Sequence, residues 1–380
     1  MPKKIIIITP AYPLRGGIAA SGERLAKAFQ NDGNDVHIFS FSLQYPSFLF
    51  PGKTQFSSDA PPEDLKIHTT INAVQPLSWF LTARKISAYQ PDIVVCRFWL
   101  PFMAPSLGTI LRSVKKKLPD VRIIGLVDNI IPHEKRPGDK QLAQYFAHAC
   151  DGFVVMSRSV EKEMELFTKK TVLYVPHPIY DTYGQKVART EALQHLNLPA
   201  SKKYILFFGF VRTYKGLDIL LAAMTRADVR ELHLTLLVAG EFYESEQIYR
   251  DYINAHALAE YVIIKSDFIP SDDVRYYFGA ADAVVQPYRT ATQSGISQMA
   301  YHFETPMIVT NVGGLSEIVT DGKVGFVVEP NIDAIAQALI QFYASDRNIF
   351  VQGVKEEKKR FAWSNMVDGI LGLLSDSFTR

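Results

Sequence analysis

Two cations in the second half of the chain, Arg212 and Lys215, follow the apolar run 204–209 in the segment G-F-V-R-T-Y-K-G. An Arg and a Lys leaving the carboxyl edge of a strand, just before a helix that opens near Gly216, are placed to hold a diphosphate and to stabilise it as a leaving group. Residues 282–317 then read D-A-V-V-Q-P-Y-R-T-A-T-Q-S-G-I-S-Q-M-A-Y-H-F-E-T-P-M-I-V-T-N-V-G-G-L-S-E, a strand, polar loop, helix, strand and glycine turn. The run 283–286 suits a buried parallel strand, and Pro306 closes the amphipathic segment that opens at Ser294-Gly295. A helix starting at Gly295 offers backbone N–H groups to an anion, and Thr292, Gln293 and Ser294 add side-chain donors beside it. An ordinary N-capped helix fits the same letters.

The first half has its own candidates. Gly16 and Gly17 sit where the first strand, 4–9, hands over to a helix from about Ile18, so a phosphate can approach the backbone there. The full G-x-G-x-x-G pattern is absent, which excludes a standard NAD site. After a strand at 122–128 comes D-N-I-I-P-H-E-K-R-P-G-D. Asp128, His133, Glu134, Lys135 and Arg136 crowd this loop at the carboxyl end of a strand, where binding and catalytic groups collect.

The elements that must position these residues alternate throughout. Strands are expected at 4–9, 35–41, 65–70, 92–98, 122–128, 152–157 and 171–176. After the proline-broken V-P-H-P-I at 175–179 they recur at 204–209, 232–240, 262–268, 283–286 and 307–309, with helical patterns between them. The fold class is α/β, two Rossmann-like parallel-sheet domains. The N-terminal domain spans 1–180 and the C-terminal domain 181–361, and the segment 362–380 ends in an amphipathic helix from Ser364.

At 380 residues, with 47% apolar and 21% charged residues, the chain is an ordinary globular one. Lys and Arg number 22 in residues 1–180 against 15 Asp and Glu, but 19 against 24 in the rest. A basic half beside an acidic half suits an anionic surface or acceptor. No basic, aromatic-studded nucleic-acid motif is present. Cys96 and Cys150 lack metal-ligand spacing and read as buried thiols in a reducing compartment. The N-terminus is too quickly polar for a signal peptide, so a cytoplasmic protein is expected, touching the inner face of a membrane as a peripheral contact. Two stretches suit that contact: the apolar, proline-broken 43–56, which equally suits an acceptor, and the amphipathic 104–118 ending in Lys115, Lys116 and Lys117. Cations at a helix C-terminus also have a plain electrostatic reason to be there.

The two-domain layout, with K-G-L-D-I-L-L-A-A, V-A-G-E, A-A-D-A-V-V-Q-P, T-P-M-I-V-T-N-V-G-G-L-S-E-I-V-T-D-G-K-V-G-F-V-V and R-F-A-W-S, resembles the retaining glycosyltransferases of family four, the glycosyl transferases group 1. The resemblance covers nearly the whole chain and is densest from 204 to 330. It implies the GT-B fold, with two domains facing a deep cleft that closes in turnover, and a helix from Ser364 that crosses back to the first domain. It implies hexosyl transfer from a nucleotide-diphosphate sugar to a glycan, lipid-linked or small-molecule acceptor, as in polysaccharide biosynthesis, with no cofactor and no metal. Gly16-Gly17 resembles the family's phosphate-facing loop, and Arg212 with Lys215 its diphosphate clamp. Gly209, Glu241, Phe268, Thr292, Gln293, Ser294 and Gly295 complete the implied donor site. Asp128 and His133 would orient acceptor or sugar hydroxyls. One departure stands out. The family's two carboxylates, the first serving the donor sugar and the second the ribose, fall at Ala291 and Met299. Thr292, Gln293 and Ser294 would then hold sugar and phosphate, and Glu304 or the Gly240-Glu241 turn the ribose. Two alternatives share the fold: a nucleotide-sugar epimerase, and a nucleotide-sugar-binding subunit with impaired catalysis.

Overall fold

The computed structural model describes residues 2–46, 55–57, 60–132, 136–291 and 294–374. The chain forms two compact units: Met1–Pro176 with Trp363–Arg380, and His177–Ala362. The first division falls a few residues before the sequence boundary at 180, because the Ile179 N–H donates to the Phe361 carbonyl of the second unit at 3.0 Å.

The first unit carries β1 (Lys4–Ile8), β2 (Asp35–Leu43), β3 (Lys66–Asn72), β4 (Ile93–Phe98), β5 (Arg122–Val127), β6 (Gly152–Val155) and β7 (Val172–Tyr174). All pair in parallel, in the order β3-β2-β1-β4-β5-β6-β7. Residues 5–8, four isoleucines, are at most 1% exposed. A central parallel strand covered on both faces needs such a continuous apolar run, each side chain contributing roughly 1.5–3 kcal/mol on burial. Helix Trp363–Gly372 belongs to this unit: it packs against helix Gly17–Asn31, and the Arg24 guanidinium lies over the Trp363 ring at 5.1 Å. Cys96 and Cys150 are free and buried, and burial pushes both thiols up.

The second unit carries β8 (Lys203–Phe208), β9 (Leu234–Ala239), β10 (Val262–Lys265), β11 (Ala283–Gln286), β12 (Met307–Thr310) and β13 (Gly325–Val328). They too are all parallel, in the order β10-β9-β8-β11-β12-β13. β10 stops at Lys265, short of the expected 268. β13 was not among the expected elements, while helix Pro76–Ala88 occupies the helical interval between the strands expected at 65–70 and 92–98.

In each sheet the order reverses once, between β1 and β4 and between β8 and β11. Loops that leave neighbouring strands on opposite sides open a crevice beyond their carboxyl ends, and open α/β sheets bind ligands there.

Candidate functional site

The second unit's switch point is built from two loops. The first leaves β8 at Gly209, which has a positive φ of 89°. A Cβ there would lie 3.2 Å from the Lys215 Nζ. Beyond Gly209 the chain still follows β9, with Val211 N–H donating to the Glu241 carbonyl at 2.9 Å. A 3-10 turn, Thr213–Lys215, then folds Lys215 back under the loop before helix Leu217–Met224. Gly216 links them at φ 68°, where a Cβ would meet the Pro287 carbonyl at 2.0 Å. Only glycine permits that approach of the first loop to the second.

The second loop leaves β11 at Gln286. The Arg289 N–H donates to the Tyr214 carbonyl at 2.7 Å, and its guanidinium donates to the Thr213 carbonyl at 2.6 Å and to Asp218 at 2.9 Å. Arg289 thus clasps the turn that carries Lys215. At its far end the loop becomes helix Gly295–Phe303. Ser294 occupies the N-cap position but makes no cap bond. Its Oγ donates instead to the buried Gln286 Oε1 at 2.6 Å, and Gln286 Nε2 donates to Ser297 Oγ at 3.0 Å. The Ser294 side chain is therefore committed to Gln286 rather than to the first-turn N–H groups of the helix.

Lys215 is the electrostatic centre. It is 7% exposed, and no carboxylate pairs with it among the described residues. Its nearest aromatic partner is the Tyr288 ring, 5.6 Å from Nζ. Burial, with the Arg212 charge nearby, pulls its pKa from 10.5 to about 8. A buried ammonium with no counter-ion marks a place where an anion completes the site. Arg212 is exposed, its guanidinium 4.6 Å above the Tyr243 ring, which in turn meets Phe210 edge-on at 4.6 Å. Glu241 and Phe268 follow the carboxyl ends of β9 and β10 on the same edge, and Phe268 is 66% exposed. Thr292 and Gln293 lie outside the described residues.

Two expectations for the ribose differ in their placement. The Gly240-Glu241 turn lies at the carboxyl edge, with Gly240 packed on Gly209. Glu304 does not: it lies beyond the far end of helix Gly295–Phe303, about 13 Å along the axis, between Lys186 at 3.4 Å and Lys358 at 3.6 Å. Glu304 therefore holds the base of the unit and is no ribose ligand. Ala291 accepts from the Gly314 N–H, and its carbonyl would sit 1.5 Å from a Cβ on Gly313.

In the first unit Gly16 and Gly17 are exposed at the start of helix Gly17–Asn31, beside the β1–β4 switch point. Gly16 has φ 112°, no side chain among the described residues caps the helix, and its first turn holds no acidic residue. Asp128 sits at the end of β5, with both carboxylate oxygens accepting from the guanidinium of Arg97 at 2.7 Å. Arg97, 3% exposed at the end of β4, also donates to Ser21 Oγ at 3.0 Å. His133, Glu134, Lys135, and residues 47–54 of the apolar stretch lie outside the described residues.

Gln286, Tyr288, Arg289 and Arg97 were missed from sequence. A glutamine ending the apolar run A-V-V-Q, and an arginine inside V-V-C-R-F, were the signals: polar groups at buried strand ends need partners.

Two doubly wound parallel units, the second with a cationic turn and a helix start at its switch point, define the architecture: two Rossmann-like domains, as in glycosyltransferases of the GT-B fold. Within it, the chain carries a glycosyl transferases group 1 domain, matched over residues 202–345. The chain is 27% identical to a D-inositol 3-phosphate glycosyltransferase of Acidothermus cellulolyticus, across 95% of this chain and 86% of that protein. Among solved structures, a glycosyltransferase from Rickettsia africae superposes with a TM-score of 0.73 at 18% identity, over 98% of both chains. HepE from Anabaena, in complex with UDP and glucose, superposes with a TM-score of 0.69 at 15% identity, over 98% of this chain and 99% of that one. The resemblance to family four and the two-sheet architecture are thereby borne out.

Proposed function

We propose that the protein transfers a hexosyl group, with retention at the anomeric carbon and without a metal, from a nucleoside-diphosphate sugar to a glycan, lipid-linked or small-molecule acceptor. The observation that carries the reading is Lys215, an ammonium buried at the β8–β11 switch point with no anionic partner among the described residues. A diphosphate supplies the missing charge. Its β-phosphate gains negative charge as the glycosidic bond to the sugar breaks, and Lys215, Arg212 and the N–H groups at Gly295 are stronger partners for that charge than for the ground state. Each such donor is worth on the order of 2–4 kcal/mol of barrier. The Tyr243 and Phe210 rings, packed edge-on with Arg212 over the first, give the nucleotide an aromatic surface beside the cation.

Acceptor-side hydroxyls are assigned to Asp128 and His133. Asp128 enters this role already clamped by Arg97, so its carboxylate is fixed in orientation. Gly16 and Gly17 offer the first unit's own helix start to a phosphate oxygen.

The test is a thermal-shift series with UDP, GDP and ADP, the first suggested by the ligand in the HepE structure. A nucleotide at a hundred times its dissociation constant adds about 2.7 kcal/mol to stability. Lys215→Ala is expected to abolish the response and Arg212→Ala to reduce it. A melt that no nucleotide moves, or a Lys215→Ala variant that responds like the parent, refutes the reading.

A further inference from the structure

Helix Pro76–Ala88 turns an apolar stripe outward. Leu77, Phe80 and Leu81 are 64%, 55% and 53% exposed, spaced to share one face. The opposite face sends Thr82, Ala83 and Ile86 into the core. One turn beyond the stripe stand Arg84 and Lys85, both exposed and without an ion pair among the described residues.

This helix packs beside helix Ala104–Lys117, which ends in Lys115, Lys116 and Lys117. Lys115 is committed to Asp151 at 3.0 Å, but Lys116 and Lys117 are exposed. Neither helix contains an Asp or a Glu. Between the edge strand β3 and helix Pro76–Ala88 lies a cavity of about 480 Å³, where Thr69, Thr70, Ser78, Arg84 and Lys85 stand beside the apolar Leu81 and Ala88. Hydroxyls and cations around a groove beside exposed apolar side chains match a phosphate head joined to an acyl chain. A second copy of this chain fits poorly, because a twofold contact would set the cationic patch against itself.

We propose that these two helices form a docking surface for an anionic lipid bilayer. Leu77, Phe80 and Leu81 enter the boundary between headgroups and acyl chains, while Arg84, Lys85, Lys116 and Lys117 meet lipid phosphates. The surface is independent of the nucleotide reading above.

The test is flotation of the full chain with vesicles of one part phosphatidylglycerol to three parts phosphatidylcholine, against vesicles of phosphatidylcholine alone. Binding is expected only to the first, weakening with added salt. Leu77→Ser with Phe80→Ser and Leu81→Ser should abolish it. Arg84→Gln with Lys85→Gln should lower the partition about thirtyfold, from the usual worth of a surface cation. All five positions are exposed, so the melting temperature should hold and report that both variants are folded. No flotation, equal flotation on neutral vesicles, or variants that float like the parent would each overturn the proposal. So would a dimer in size-exclusion chromatography that the triple variant dissolves without any vesicle binding.

Discussion

Lys215→Met asks whether the buried ammonium is an electrostatic liability kept for binding. Lowering its pKa from 10.5 to about 8 corresponds to ~3 kcal/mol of penalty on the native state wherever both forms are protonated. Methionine fills much the same volume without the charge. The lost contact with the Tyr288 ring offsets roughly 0.5–1 kcal/mol, which leaves a net gain of about 2 kcal/mol at pH 7. For a unit the size of His177–Ala362 that raises the melting temperature by about 4–8 °C. The sign with pH follows from linkage. Between about pH 8 and 10.5 the unfolded lysine keeps a proton that the native one has lost, so the parent gains stability as pH rises through this window. The advantage of Lys215→Met should therefore be full below pH 8 and close towards pH 10.5. Differential scanning fluorimetry from pH 7 to 10, with and without UDP, reads both effects: a more stable variant, and one that no longer responds to nucleotide. A variant less stable than the parent at pH 7, or a gap that ignores pH, refutes the reasoning.

Nucleoside-diphosphate affinity of the parent, measured by titration calorimetry, should fall as pH rises past about 8, since the free enzyme then loses the Lys215 proton. Gln286→Leu removes the acceptor of the Ser294 hydroxyl, which can then turn to cap the helix; urea unfolding should show a loss of about 1–3 kcal/mol and calorimetry a weaker nucleotide. Asp128→Ala strands the Arg97 guanidinium in a buried site and should cost about 3–5 kcal/mol in chemical denaturation, with Arg97→Met restoring part of it. Gly313→Ala places a methyl 1.5 Å from the Ala291 carbonyl at a φ of 50°, so it should destabilise by more than about 1 kcal/mol in a thermal melt.

The strands were legible because a parallel strand under two layers of helix is written as an unbroken apolar run. I-I-I-I at 5–8 and A-V-V at 283–285 admit no other placement. Lys215 and Gly295 were legible for a second reason: loops at carboxyl edges follow from strand direction alone. The order of strands did not show, since letters along the chain do not say that β11 lies beside β8. For that reason Arg289, which reaches Thr213 and Asp218, looked like an ordinary loop residue. The bounds of helix Pro76–Ala88 were not legible, because Leu77, Phe80 and Leu81 lie on its solvent face and blur the core periodicity. Glu304 was misplaced because nearness in sequence to Gly295 hid about two and a half turns of helix.

The return of Trp363–Gly372 to the first unit has a consequence for synthesis. Trp363, Met366, Val367 and Ile370 are buried there, yet a ribosome makes them only after the whole of His177–Ala362. During translation the earlier lobe waits with an uncovered apolar groove over helix Gly17–Asn31, while the later lobe already has every residue it needs. The nascent chain therefore matures out of order, and that interval is when a chaperone would hold it.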